Sequence, residues 1–430
     1  MLEILGIVIC VLLLGFMCMK GIHSLVAGLV CSALLLIFNG ANIYEGITGT
    51  YMSGFVSFVS NWFLMFLFGG LLGQILDVSG AADSLAQFLL NLVGAKNITL
   101  GLFLVGLIFT AAGITPYVTL FIVFPIGVKM CKRADLPRIF SIAGFQLGET
   151  VGLALPYAPV ANNIVCTKYF GTEASAGGIW ALIVCVIFSV LGILYLAWYE
   201  KYLIGHGTRF ISLPDETIED ENQSADKPHW IIGLIPLLVP IVTLNFLKWS
   251  VEYSLLAGAV VACVLLFKHI PKTSESIREM IGKVINNSTV TVINTSAVVG
   301  FGAVVTASAA YDVAVAKILS IEANPLIMAF ACTGLLAGVA GSAASGIVLA
   351  APVLQQFLTQ TNASLIHRAT IFASLTLDTL PISGFLHTKA AVSGVPLKDS
   401  YIKMDLVVTV ILPIVSGLIY ILGCFVMGLA

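Results

Sequence analysis

Long apolar stretches separated by short polar ones run along this chain, and their lengths predict its secondary structure. A helix that crosses a lipid bilayer needs about 20 predominantly apolar residues. The clearest apolar runs of roughly this length occur at 2–19, 23–39, 58–77, 176–199, 230–247, 250–267, 286–308 and 406–429. Glycine, proline or polar residues interrupt four further apolar regions, at 97–128, 139–165, 325–358 and 364–390. The pattern predicts an all-α polytopic membrane protein with ten spans and two re-entrant hairpins.

Composition supports a lipid environment. Hydrophobic residues make up 59% of the chain and charged residues 10%, and the mean hydropathy is +1.05. A water-soluble domain of this length would not need so apolar a sequence. The first apolar run lacks a basic leader and a small-residue cleavage site, so we expect it to remain as a span. No basic patch points to nucleic acid, and the cysteines occur singly, which favours small core residues over disulfides or metal ligands.

An acidic stretch divides the chain near its middle. Residues 212–228 read SLPDETIEDENQSADKP, a composition typical of a solvated linker. It separates a first membrane repeat, 1–211, from a second, 229–430. AADSLAQFLL (81–90) followed by AAGITPYVTLFIVFP (111–125) resembles AYDVAVAKIL (310–319) followed by AGVAGSAASGIVLAAP (337–352), and LGET (147–150) corresponds to TLDT (376–379). The similarity predicts an internal duplication, which is common among transporters.

The charges of the loops predict how the two repeats are oriented. Five spans per repeat is an odd number, so the second repeat would enter the membrane from the opposite face. The loops 129–138 and 268–283 each carry four basic residues, which places both in the cytoplasm. This arrangement puts the linker inside and both termini outside, as expected of a multi-pass plasma (inner) membrane protein. The basic residues left on the external side are Lys168, Lys248, Lys317 and Arg368.

Four breaks interrupt the apolar regions, at 111–119, 152–163, 338–346 and 376–384. Non-helical backbone at membrane depth survives only inside protein or beside a water-filled cavity, so we expect the breaks to form a central polar site. Half-helices that begin there would direct N–H groups at a carboxylate. The candidate substrate-binding residues are Thr115, Tyr117, Tyr157, Asn162, Asn163, Ser342, Ser345, Thr379, Ser383 and His387. The alternative is that the small residues only let helices pack closely.

Two acidic residues, Glu149 and Asp378, lie in matching places within the interrupted regions. An ionisable group inside a membrane span is costly, and it is a functional candidate by default. A low-dielectric site favours the protonated form of a carboxyl group, so both residues are candidates for proton coupling. The alternative is a structural carboxylate that caps a half-helix or pairs with Lys389 or His387.

The sequence resembles the gluconate permease family of proton-coupled carboxylate symporters, within the ion transporter superfamily of inverted-repeat proteins. The resemblance rests on GGLLGQILDVSGAADSLA (69–86), LPRIFSIAGFQLGETVGLALPYAPVANNIVCTKYFG (136–171) and GSAASGIVLAAPVL (341–354). It is greatest for the branch that carries short hydroxy acids, whose L-D-[ST]-L-P motif is matched by residues 377–381. The resemblance implies an elevator-type transporter, a homodimer and a small carboxylate or polyol-acid substrate.

Two departures from this family leave the substrate open between gluconate and a short hydroxy acid such as 3-hydroxybutyrate. Tyr157 stands where gluconate-type members have a histidine, and Ile382 and Ser383 stand where the hydroxybutyrate-type branch has His-Asn. The coupling ion implied is a proton, with sodium as the alternative, and no other cofactor is expected.

The motifs that are present favour a secondary transporter, which imports a small organic anion by proton symport. We expect no enzyme, because the sequence contains no P-loop, no H-E-x-x-H and no metal-ligand spacing. The alternative is a cation/proton antiporter that uses the same buried carboxylates. An anion channel fits less well, because a channel needs a continuous pore rather than paired hairpins.

Overall fold

The computed structural model describes residues 2–20, 22–94, 97–114, 116–212, 227–308, 311, 313, 324–340, 342–380 and 383–429. Within these ranges the chain is helical and has no β-strand, which confirms the predicted all-α class. The helices are α1 Leu2–Met19, α2 Ser24–Phe38, α3 Ile43–Val78, α4 Ala81–Val93, α5 Ile98–Ala111, α6 Pro116–Arg133, α7 Phe140–Ala154, α8 Ala161–Phe170, α9 Gly178–Gly205, α10 Trp230–Asn245, α11 Val251–Leu265, α12 Ser274–Thr306, α13 Pro325–Ala340, α14 Ala343–Leu354, α15 Ala363–Ser374, α16 Gly384–Ser393 and α17 Tyr401–Val426. A short turn of helix, Leu397–Ser400, precedes α17.

In the described part of the chain, four helices are long and apolar enough to cross a membrane by length and composition: α3, α9, α12 and α17. Two of them begin well before the apolar run that predicted them. The side chain of Asn42 accepts hydrogen bonds from the first amides of α3, and Thr273 accepts one from the Ser276 amide in α12. These caps extend both helices into polar sequence, because they satisfy N–H groups that would otherwise lack acceptors.

The order of helices recurs in the two halves. Each half has two helices and a long third helix, later two pairs of shorter helices separated by breaks, and finally a long helix. In the first half α4 stands between the third helix and these pairs, and the matching stretch 310–319 of the second half lies largely outside the described residues. Contacts between the halves are reciprocal: α3 packs on α11 while α12 packs on α2, and α8 packs on α14 while α16 packs on α6. Order and packing are therefore those expected of two related halves.

Helix α7 lies at the centre of the molecule, and all of its residues except Leu153 are buried. Its glycines allow backbone contact with α5. A Cβ atom on Gly148 would lie 2.0 Å from the Phe103 carbonyl oxygen, and one on Gly144 would lie 2.1 Å from the Thr99 carbonyl oxygen. No side chain fits at that distance. The glycines therefore set how closely α7 packs against α5, and hence the position of Glu149 in α7.

Candidate functional site

The four predicted breaks are present between shorter helices, and the first three are narrower than predicted. Helix α5 ends at Ala111 and α7 at Ala154, while α14 begins at Ala343 and α16 at Gly384. In the first half the hairpin break, between α5 and α6, touches the break between α7 and α8. In the second half the hairpin break, between α13 and α14, touches the break between α15 and α16. A Cβ atom on Gly113 would lie 3.0 Å from the Pro159 carbonyl oxygen, and one on Gly338 would lie 2.8 Å from Leu377 Cβ.

Helix N-termini emerge from the breaks. Ser342 caps α14 by accepting a hydrogen bond of 3.4 Å from the Ser345 amide. The N-cap residues of α8 and α16, Val160 and Ser383, make no such side-chain bond in the described structure. The first amides of an uncapped helix carry partial positive charge and lack intrahelical acceptors, which suits them to an anionic ligand.

Glu149 and Asp378 are brought together from opposite halves of the chain. Glu149 is 6% exposed in α7 and lies within electrostatic range of Asp378 and Lys389. Asp378 is in the break between α15 and α16, where its Oδ1 atom is buried and has no hydrogen-bond partner among the described residues. A buried oxygen in this situation is costly unless a proton, an ion or a ligand satisfies it.

Lys389 is paired with Asp405 rather than with Asp378. Both side chains are almost completely buried, and the ammonium also donates to Gln146 Oε1 at 2.9 Å. The second oxygen of Asp405 accepts a hydrogen bond of 2.8 Å from Ser400. This group, the Lys389 node, joins α7 of the first half to α16 and α17 of the second.

A second group joins the halves through Arg368, which is fully buried in α15. Its guanidinium donates to the carbonyl oxygens of Ala154 and Ala176 at 2.7 and 2.9 Å and to Asn163 Oδ1 at 3.2 Å. A further bond of 3.2 Å reaches the Ala174 carbonyl. Arg368, predicted as a basic residue of the external side, lies within α15 rather than in an exposed loop, because the end of α7 and the loop after α8 supply buried acceptors for its charge.

Asn163 and His367 complete this Arg368 node. Asn163 Nδ2 donates to the carbonyls of Ala158 and Ala174 at 2.9 and 3.0 Å, while its Oδ1 accepts from Arg368. His367 Nε2 lies 2.8 Å from the same oxygen, and its Nδ1 lies 2.6 Å from Thr172 Oγ1. The polar atoms of Asn163 are thus used in holding α8, α15 and the loops around them.

The remaining candidate residues differ in their hydrogen bonds and their exposure. Thr379 donates to Thr409 Oγ1 at 2.6 Å, and Tyr157 is 37% exposed with a backbone φ of 70°. Asn162 has a buried Nδ2 atom with no partner in the described structure, and Ser383 is buried at the start of α16. Thr115 lies outside the described residues, as do the side chains of Tyr117 and His387.

Sequence reasoning missed the partners that hold these groups: Gln146, His367 and Asp405. Asp405 directly precedes an apolar run, where an acidic residue usually marks the membrane surface. The available signal was the spacing Lys403, Asp405 and Thr409, which leaves polar residues inside what became a continuous helix. A mean hydropathy taken over a window of residues hides such single polar positions.

Comparison with known proteins identifies the family. The model described as GntP family permease matches residues 2–250, more than half of the chain. The chain belongs to the GntP permease family. An uncharacterized transporter of Bacillus subtilis, YxjC, is 26% identical over 93% of this chain and 94% of its own length. The high-affinity gluconate transporter of Escherichia coli is 23% identical over 54% of this chain and 51% of its own length.

A solved structure also resembles this GntP permease. The YdaH transporter of Alcanivorax borkumensis superimposes with a TM-score of 0.56 and 11% identity, over 87% of this chain and 86% of its own length. At that identity the likeness establishes the fold alone. The family and these relatives are transporters rather than enzymes, and the predicted resemblance to the gluconate permeases is confirmed.

Proposed function

We propose that this GntP permease is a secondary transporter that imports a small organic anion together with protons. The observation that supports this most directly is that Glu149 and Asp378, from opposite halves, lie within electrostatic range of each other, and that one buried Asp378 oxygen has no partner among the described residues. An acidic group at that depth can cross the membrane at low cost only when it is neutral. Proton binding therefore supplies a physical link between the proton gradient and movement of the site.

We propose gluconate or a short hydroxy acid such as 3-hydroxybutyrate as the substrate. The name of the Escherichia coli relative and the Leu377–Asp378–Thr379 sequence support this class. The substrate carboxylate would bind at the uncapped N-termini of α8 and α16, near Asn162 and Ser383. The candidates Thr115, Tyr117, Tyr157, Ser342, Ser345 and His387 would complete the site, while Asn163 and Thr379 would hold its shape through the bonds described above.

The proposed architecture is an inverted pair, 1–211 and 229–430, joined by a cytoplasmic linker at 212–228. In it, the hairpins and broken helices form a transport domain that moves against a scaffold in a homodimer of the plasma membrane. Reciprocal packing between the halves supports the pairing, and the two buried nodes support a transport domain that moves as one body.

Uptake by the purified protein in proteoliposomes tests the proposal. Labelled gluconate or 3-hydroxybutyrate should accumulate under an inward proton gradient and stop accumulating when an ionophore collapses it. Sodium gradients of equal size should have no effect. Proton flux driven by a cation gradient, without uptake of either acid, would instead establish the antiporter. Protein-free liposomes and the Asp378→Asn variant serve as controls.

A further inference from the structure

Helices α3 and α11 form a wall against the hairpin break of the first half. Leu255 of α11 is 1% exposed. A Cβ atom on Gly113, in the hairpin break, would lie 3.2 Å from Leu255 Cδ2 and 3.0 Å from the Pro159 carbonyl oxygen of the next break. One on Gly69 of α3 would lie 3.3 Å from the Gly113 carbonyl oxygen. The hairpin break is therefore in contact with both helices of the wall.

Lys168 attaches α8 to the same wall. Its ammonium donates to the carbonyl oxygen of Asn61 in α3 at 3.0 Å and lies 3.5 Å from Glu252 Oε1 in α11. It also lies 4.1 Å from the centre of the Trp62 ring, and an aromatic face attracts a cation. Because α8 begins at the break after α7, these contacts fix the position of that break relative to α3 and α11.

A second ion pair joins the same two parts of the molecule in the opposite sense. Lys248, in the loop before α11, lies 2.7 Å from Glu173, in the loop after α8. The α8 side supplies the base of the first pair and the acid of the second. We call the pairs Lys168–Glu252 and Lys248–Glu173 the clasp. All four side chains are partly exposed, and exposed ion pairs contribute little to stability, so the clasp can open and re-form.

The sequence of the second half contains no equivalent of Lys168. Helices α8 and α16 are each followed by a glycine with a φ of 64°, Gly171 and Gly394. Counted back from these glycines, Lys168 corresponds to Ala391, whose side chain cannot form an ion pair. The clasp is therefore a property of the first half alone.

We propose that Leu255 and the clasp form a gate over the first-half breaks, and that this gate, closed in the structure, opens to admit or release substrate. The inference rests on the proposed function. Asn163 and Arg368 tie α8 to α15, so an open clasp would let these helices leave the wall together. In the proposed topology the gate faces the external side, where Lys168 and Lys248 were predicted to lie.

Maleimide labelling of Leu255→Cys tests the gate in purified protein in detergent, without substrate. The thiol is covered while the gate is closed. Addition of Lys168→Gln or Glu252→Gln should raise its initial labelling rate about threefold, as expected for the loss of a partly exposed ion pair. Lys283→Gln is the matched control, because it removes a 2.9 Å pair with Glu279 within α12 and should leave the rate unchanged. Labelling of the unsubstituted protein gives the background from native cysteines.

A reversible cross-link across the clasp provides a second measurement. In Lys168→Cys/Glu252→Cys, a bifunctional methanethiosulfonate reagent should join the two thiols and hold the gate closed. Uptake of labelled gluconate and labelled 3-hydroxybutyrate by proteoliposomes should then stop, and a reductant should restore it. The unsubstituted protein, treated with the same reagent, controls for native cysteines.

The outcomes separate the gate from the proposed function. Equal labelling with and without the clasp, an equal increase in Lys283→Gln, or unchanged uptake after a cross-link verified by mass would overturn the gate and leave symport intact. Faster labelling in the clasp variants, with no accumulation of either acid under a proton gradient, would support the gate and overturn the proposed function. If Leu255→Cys is not monodisperse, amide hydrogen exchange at 112–114 replaces the labelling, and it should be faster in the clasp variants.

Discussion

Asp378 and Asp405 show how one residue type serves two purposes within 30 residues of sequence. Asp405 accepts bonds from Lys389 and Ser400, so its charge is satisfied and its role is to hold helices together. Asp378 has a buried oxygen with no such partner in the described structure. A buried pair is hard to break, whereas an acid without a basic partner in the described structure is free to change protonation state. The difference in partners supports assigning proton exchange to Asp378.

The first prediction follows from that difference. Asp378→Asn should abolish proton-driven accumulation while leaving exchange of labelled for unlabelled substrate at a comparable rate, because the amide imitates the protonated acid. Counterflow in proteoliposomes measures the exchange, and uptake under a pH gradient measures the coupling. An Asp378→Asn variant that still concentrates substrate with unchanged pH dependence would remove Asp378 from coupling and direct attention to Glu149.

At the scale of elements, two buried nodes fasten the broken helices of the two halves to each other. The Arg368 node joins α8 to α15, and the Lys389 node joins α16 to α7. In the recurring helix order these are equivalent pairs of helices, because α8 corresponds to α16 and α15 to α7. A buried node joins the two helices in each of these equivalent pairs, which is a reason to treat α7, α8, α15 and α16 as a single rigid unit.

Removal of the shared acceptor should loosen this unit. Asn163→Ala deprives Arg368 and His367 of a common partner and frees two carbonyls, so we expect a loss of about 3 kcal/mol in stability. Thermal unfolding of the purified protein in detergent would show it as a lower midpoint. The control is Glu173→Gln, which breaks the exposed 2.7 Å pair with Lys248 and should change the midpoint little. Equal midpoints for Asn163→Ala and the native protein would contradict a structural role.

The contact between α5 and α7 gives a second prediction at this scale. Gly148→Ala places a methyl group where the Phe103 carbonyl now lies, so it should separate the helices and lower both the unfolding midpoint and uptake. Gly282→Ala in α12 is the matched control, because a Cβ atom there meets nothing within 4 Å. In that exposed helical position alanine should be neutral or stabilising by roughly 0.5–1 kcal/mol. Similar losses in both variants would point to a general intolerance of alanine rather than to this contact.

The helices and their breaks were predictable because they depend on local sequence. Apolar run length predicts helices, and proline and glycine at 111–119 and 152–163 predict where they stop. The two nodes were not predictable in the same way, since Arg368 and Asn163 lie 205 positions apart and neither has a distinctive neighbourhood. The glycine face of α7 was missed as well, because average hydropathy over a window does not distinguish the faces of a helix.

For the whole molecule, the linker between the halves gives a prediction about topology. Residues 213–226 lie outside the described residues, while Lys227 at their end pairs with Asp83 at 3.2 Å. Replacing 213–226 with a Gly-Ser segment of equal length, and keeping Lys227, should leave uptake unchanged because that acidic sequence cannot bury surface. Protease added outside right-side-out vesicles should not cut the native linker, since the charge bias places it in the cytoplasm. External cutting would overturn the orientation.

Asp405 lies in the wide, π-helical opening of α17, which covers Tyr401–Ile411. A wide turn holds more residues than an α-turn, so it shifts the side chains before it out of phase with those after it. The Thr409 hydroxyl donates to the Asp405 carbonyl at 2.8 Å and so helps hold the altered course. Deleting one residue from this stretch would restore regular helix and turn the acid away from Lys389. Among related sequences, those with one residue fewer in this segment should therefore also lack the acid at position 405. A single alignment gap there would accompany the loss of this buried charge.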